Sequence, residues 1–355
     1  MIDLGVICFA ARTSTPHLSL ICGKSHDTTA DAMTSPSTDT GITSPPTYYR
    51  AYGPWLRGKF GGKKVFKVIA DAGFSCPNRD GTKGYGGCTY CNVDSFTPSL
   101  TRSLPGLREQ VLASMERARG RFGAEKFIVY FQPNTNTYAP ADQLREYYDE
   151  ALAACPEDTV GLSVGTRPDC LDAGKIALLE SYAARYEVDL ELGMESMHEA
   201  TLEKINRGCR HDELVRLLDS LRASPLHVCV HMIFGFPWES RDEMLAYAEE
   251  LNRHPAIGFV KLHHLHVVKG SILGARYQKE PFPLFSLDDY TDFLADFLPR
   301  LRADIVVQRL FGVADQDLLI APDWEMRKAA VQSHLDRVLG ESGVVQGSAV
   351  PDLGC

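Results

Sequence analysis

The sequence predicts an α/β fold: a partial (β/α)6 barrel with a C-terminal α/β extension and a disordered N-terminal leader. Three observations carry that expectation. Six short apolar runs, rich in β-branched and aromatic residues, recur at the spacing of βαβ units. The segments between them repeat apolar residues at helical intervals. The alternation stops at a sixth unit, two short of a closed eight-stranded barrel.

The elements follow in order. From Ser25 to Thr47, 11 of 23 residues are Ser or Thr, joined by Pro36, Pro45 and Pro46. Such a stretch buries too little to repay ordering, so residues 1–47 read as a flexible leader, with Met33 inside it as an alternative start. Strands are expected at Val65–Ala70, Phe127–Phe131, Val160–Val164, Val188–Leu192, Val228–Phe234 and Phe259–Leu262. Leu107, Val111, Met115, Ala118 and Phe122 form one helical stripe; Leu214, Leu217, Leu218 and Leu221 form another. These units place the barrel at 48–280. The extension, 281–342, opens on a helix capped by Ser286 and Asp289, adds one more strand at Ile305–Val307, and ends on a helix at Glu325–Leu339. Residues 343–355 read as a loose tail.

Composition narrows the function classes. Apolar residues at 44% and charged residues at 23% exclude a wholly disordered chain. No run approaches 18 uninterrupted apolar residues, so no membrane span is expected. A net charge of −9 argues against a whole-surface attraction to nucleic acid or anionic lipid. The apolar run Leu4–Ala11 follows Asp3 and no cation, unlike a secretory signal. Ten cysteines in 355 residues are too sparse for a disulfide scaffold. Cys76, Cys88 and Cys91 crowd together and the others are scattered, which points to a reducing, cytoplasmic setting and one cluster-type site.

That site lies on the loop 73–92, directly after the first strand: Gly73-Phe74-Ser75-Cys76-Pro77-Asn78-Arg79-Asp80-Gly81, then Gly84-Tyr85-Gly86-Gly87-Cys88-Thr89-Tyr90-Cys91-Asn92. Three thiolates on a glycine-rich loop can wrap a metal centre. A structural zinc ion needs four closed ligands, and no fourth Cys or His follows within 60 residues. An iron–sulfur cube ordinarily takes four cysteines; with three, one iron stays open to an exogenous ligand. The position also fits, because barrel enzymes place their chemistry at the C-terminal ends of the strands.

In these motifs the chain resembles the radical S-adenosylmethionine (SAM) superfamily. The Cys-x11-Cys-x2-Cys spacing resembles its Elongator-catalytic-subunit-like branch, and within it the YhcC-type subgroup lacking the acetyltransferase domain. The resemblance implies a radical SAM barrel, a [4Fe–4S] cluster on Cys76, Cys88 and Cys91, and reductive cleavage of SAM to a radical that abstracts a substrate hydrogen. It implies a reducing electron donor such as flavodoxin or ferredoxin. For SAM contacts it offers Tyr90 beside the third cysteine, Gln132, Asn134 and Asn136 after the second strand, and Arg167 after the third. Glu195 (where the subgroup more often has Gln), Gly235 and Lys261 end the next three strands and complete the set. Arg207 is a further candidate for the same cavity. Alternation aims Lys261 and His263 at one face. Arg309 and Ala321-Pro322-Asp323-Trp324 also match the subgroup, without a separable role.

The branch implies tRNA, at a wobble uridine, as the substrate. Beside it stands a local charge argument: from Arg50 to Lys83 there are eight cations against two carboxylates, interleaved at their start with Tyr48, Tyr49, Tyr52 and Trp55, residues suited to stacking on bases. A small metabolite or peptide substrate, and a non-catalytic metal-binding module, are the alternatives. The sequence assigns no catalytic residue.

Overall fold

The computed structural model describes residues 48–97, 103–104 and 106–351. The leader expected over 1–47 and the end of the tail, 352–355, lie outside the described residues. Six parallel strands are β1 (Val65–Ala70), β2 (Lys126–Phe131), β3 (Thr159–Thr166), β4 (Glu187–Glu195), β5 (His227–Phe234) and β6 (Ile257–His264). After the two-residue β7 (Val267–Val268) comes β8 (Val306–Arg309), the strand expected in the extension, which joins β6 in parallel. The sheet order is β1-β2-β3-β4-β5-β6-β8. A short antiparallel pair links β7 to β9 (Leu319–Ala321).

One hydrogen bond shows that this sheet curls. Lys67 on β1 donates to Gln308 on β8 at 2.9 Å, although six strand spacings would put them roughly 29 Å apart in a flat sheet. The two edges therefore face each other as an open barrel. No β1–β8 ladder closes it; instead the segment before β1 bridges to β8, with Val307 N–H donating to the Arg50 carbonyl at 2.8 Å.

The alternation along each strand then sorts side chains into lumen and outer core. On β4, Glu187, Asp189, Glu191, Gly193 and Glu195 share one face, while Val188, Leu190, Leu192 and Met194 share the other and enter the main hydrophobic core. Helices outside complete that core. Leu107, Val111, Met115 and Ala118 are buried on the helix Leu107–Phe122. The extension's helices Leu287–Phe297 and Lys328–Glu341 bury Phe293, Phe297, Leu335 and others in the same core. The strand ends of the barrel and the extension are thus one packed body.

Two expectations are corrected. Residues 343–351 are not loose where described: Val344 and Gln346 are buried, and the Gln346 amide donates to the Arg302 and Ile305 carbonyls at 2.9 and 2.8 Å. Two of the four aromatics expected to stack on bases are packed inward. Tyr52 and Trp55 lie on the helix Tyr52–Lys59, stack at 5.7 Å, and pack against Phe259, Cys229 and Val306. They plug the end of the lumen where the strands begin.

Candidate active site at the cysteine loop

The plugged end carries a buried polar network centred on Glu191. Its Oε1 accepts from Lys67 (2.5 Å) and Ser163 (2.8 Å); its Oε2 accepts from Tyr130 (2.6 Å), His231 (2.8 Å) and Lys261. Asp189 takes Lys67 at 2.7 Å and the Tyr52 hydroxyl at 2.8 Å. Burial opposes the Glu191 charge, but Lys261 and Lys67 hold its pKa well below the ordinary carboxylate range. Burial pushes the Lys261 ammonium down to about 8 against the pull of Glu191. Below this floor, Glu187 pairs with Lys59 and His227.

Above the floor opens a cavity of about 500 Å³ at the C-terminal ends of the strands. Cys76, Cys88 and Cys91 all line it, and all three are free thiols. Glycine makes the loop possible: Gly87 sits at φ +81°, and a Cβ there would strike the Arg79 side chain. Arg79 is thereby free to donate to the Cys91 sulfur at 3.2 Å. Asn78 and Arg207 aim N–H groups at the Cys88 sulfur, at 3.7 and 3.8 Å. Burial pushes the Cys91 thiol up to about 11, with Cys88 adding to it and Arg79 opposing.

Among the described residues, no three His, Cys, Asp or Glu side chains form a ready-made site for one metal ion. Three sulfurs spread around one cavity, with N–H donors aimed at two of them, suit an iron–sulfur cube, whose potential such hydrogen bonds tune.

The expected SAM contacts divide. Tyr90, Gln132, Asn134, Arg167, Glu195 and Lys261 line the cavity. Asn136 and Gly235 do not. Both Asn136 amide hydrogens are used inward, on the Pro133 and Gly165 carbonyls at 3.0 and 2.9 Å. Gly235 faces Phe285, and its N–H lies 3.0 Å from the Met244 sulfur. Arg167 lines the wall, yet its fork is already engaged: Nε and an Nη grip Asp169 at 2.9 and 2.8 Å, and the remaining donors hold the Arg207 and Gly208 carbonyls. Lys261 belongs to the floor network described above.

Glu195 and Arg207 are better placed for a polar ligand. Glu195 follows a bulge in β4 and holds φ +66°, uncommon for a residue with a Cβ. Arg207 reaches the Gly193 carbonyl at 2.6 Å, which the missing side chain of Gly193 allows, and lies 3.8 Å from Glu195. The buried Arg207 Nε has no partner among the described residues. A buried guanidinium with an unmet donor is a site waiting for an acceptor.

An open parallel barrel with a three-cysteine loop at its C-terminal rim defines a radical SAM-type protein. The comparisons agree. The profile of the Radical SAM superfamily matches residues 76–251, and that of the Radical_SAM C-terminal domain matches residues 257–340. The chain is 39% identical over 290 residues to protein YhcC of Escherichia coli K12, covering 81% of this chain and 91% of that one. It is 36% identical over 292 residues to the uncharacterized protein YtqA of Bacillus subtilis, covering 82% and 89%. The chain belongs to the radical SAM superfamily, whose cofactors are a [4Fe–4S] cluster and SAM. Its fold is similar to that of an archaeal Elp3 from Methanocaldococcus infernus, with a TM-score of 0.61 at 16% identity, over 80% of this chain and 64% of that one. Among the described residues no helix is long and apolar enough to cross a membrane.

Proposed function

We propose that the protein is a cytoplasmic radical SAM enzyme in which Cys76, Cys88 and Cys91 hold the cube and leave one iron to SAM. The observation that carries this is the confluence of all three thiols on one cavity with Glu195 and the unmet Nε of Arg207. When bound, the cluster supplies the electron that cleaves SAM to a hydrogen-abstracting radical. The chain's own residues do the rest. Arg79, Asn78 and Arg207 orient and polarise the sulfurs; Glu195 and Arg207 offer opposite charges for the zwitterionic end of SAM. The floor of Glu191, Lys67 and Lys261 seals the lumen against water from the plugged end.

For the substrate, the resemblance to the Elongator-like branch supports a tRNA wobble uridine. Its second support weakens, because several cations between Arg50 and Lys83 are engaged: Lys59 with Glu187, Lys63 with Glu125, Lys67 in the floor, Lys83 with Asp169.

Anaerobic reconstitution tests the enzyme reading. About four iron and four sulfide per chain, with 5′-deoxyadenosine formed from SAM and a reductant such as reduced flavodoxin, are expected; iron loading without SAM cleavage would refute it. Nucleosides of tRNA from cells with and without the protein test the substrate, and identical profiles would remove tRNA.

A further inference from the structure

The cavity has a second wall that neither the cysteines nor the floor network uses. Arg309 ends β8 directly opposite Lys261 on β6. Like charges facing each other across two strands repel. Lys261 is answered by Glu191, but Arg309 has no carboxylate partner among the described residues, and neither has Lys328 at the start of the helix Lys328–Glu341. Both line the cavity. His263 lines it too, and its Nε2 is buried with no partner among the described residues.

The two carboxylates that line the cavity are both engaged elsewhere. Both Glu191 oxygens are saturated by the five donors of the floor, and Glu195, on β4, sits with Arg207. The electrostatics agree with a surplus of positive charge. Burial and then Arg309 hold His263 well below the usual histidine range and push His266 down to about 4; the same two causes lower Lys328. A fork, an ammonium and an imidazole facing open space, with no anion to meet them, form a recognition site for a carboxylate or phosphate.

Resting on the radical SAM reading above, we infer that Arg309 and Lys328, with His263, seat an anionic group of the substrate, a carboxylate or a phosphate, inside the cavity. Size sharpens the class. A cavity of about 500 Å³ is in the range of a single small-molecule site and must also take SAM. What enters beside it is a small acid, or one acid-bearing residue of a larger molecule.

The test is a calorimetric titration of the reconstituted full chain, with SAM present, using inorganic phosphate and succinate in turn. Binding of either is expected to weaken about tenfold or more in Arg309→Gln and again in Lys328→Gln, with Arg216→Gln on an outer helix unchanged. Both variants sit at exposed positions, and an unchanged melting temperature confirms that they fold. Phosphate alone assigns a phosphate ester, succinate alone a carboxylate, and each supports the inference. Binding of neither anion, or an unchanged Kd in both variants, overturns it. So does tRNA binding lost in Arg309→Gln while neither small anion binds, which assigns the wall to a nucleic-acid backbone. The cleavage assay on the same reconstituted chain separates the two readings: no SAM cleavage with anion binding intact refutes the radical assignment and leaves this wall standing.

Discussion

The two ends of the lumen are built from the same strands and differ in one respect. At the plugged end every charge faces an opposite one: Lys67 with Asp189 and Glu191, Lys261 with Glu191, Lys59 and His227 with Glu187. At the open end Arg207 keeps an unmet Nε, and Arg309 and Lys328 face no carboxylate among the described residues. Buried charge is tolerated only when paired. Paired charge at one end is therefore architecture; at the other, the buried Arg207 is left with a donor for a ligand, and the exposed Arg309 and Lys328 stand at the cavity wall where an anion can reach them.

The sharpest way to break this comparison is at the cysteines. Cys88→Ala should drop iron from about four per chain to almost none and abolish SAM cleavage, while the fold persists; full iron content in that variant would refute the ligand set. Next, Glu191→Ala strips the shared partner of Lys67 and Lys261 and should destabilise the fold by about 3–5 kcal/mol in chemical denaturation. A loss below about 1 kcal/mol would mean that the floor is not architecture.

Acid gives a gentler probe of the plugged end. The partners of Glu187, His227 and Lys59, hold its pKa below the ordinary value although burial opposes its charge. A depressed folded-state pKa stabilises above the unfolded value, about 4.3, and that stability is lost as pH falls through the folded value. Because Lys59 and His227 are about a third exposed, the contribution is about 1 kcal/mol or less. Glu187→Gln should lower neutral-pH stability and flatten the acid limb of stability against pH. A comparable effect is expected at Glu195. Its positive φ should make Glu195→Gly more stable than Glu195→Ala by about 1 kcal/mol, the reverse of the usual order in a strand.

Much of this was legible from the residues. Each of the six barrel strands overlaps its expected run, because a period of two and a turn-bounded apolar run are local signals. The cysteine loop was legible for the same reason. What alternation cannot supply is the partner across the lumen. It aims Lys261 and His263 at one face, but not Lys261 at Glu191, 70 positions away. Nor does the motif show that the Arg167 fork closes on Asp169, two residues on, while Arg167 lines the cavity. Nor does composition report which end of a barrel an aromatic occupies: Tyr52 and Trp55 pack against Phe259 at the plugged end.

The seam between β1 and β8 has a consequence of its own. Where two strands share a ladder, the girth of a barrel is set by its backbone. Here the gap is spanned by one lysine-to-glutamine contact and a short patch at Arg50 and Ala51. The molecule is a split ring rather than a hoop: at the seam its girth rests on single contacts and one backbone bridge instead of a continuous ladder.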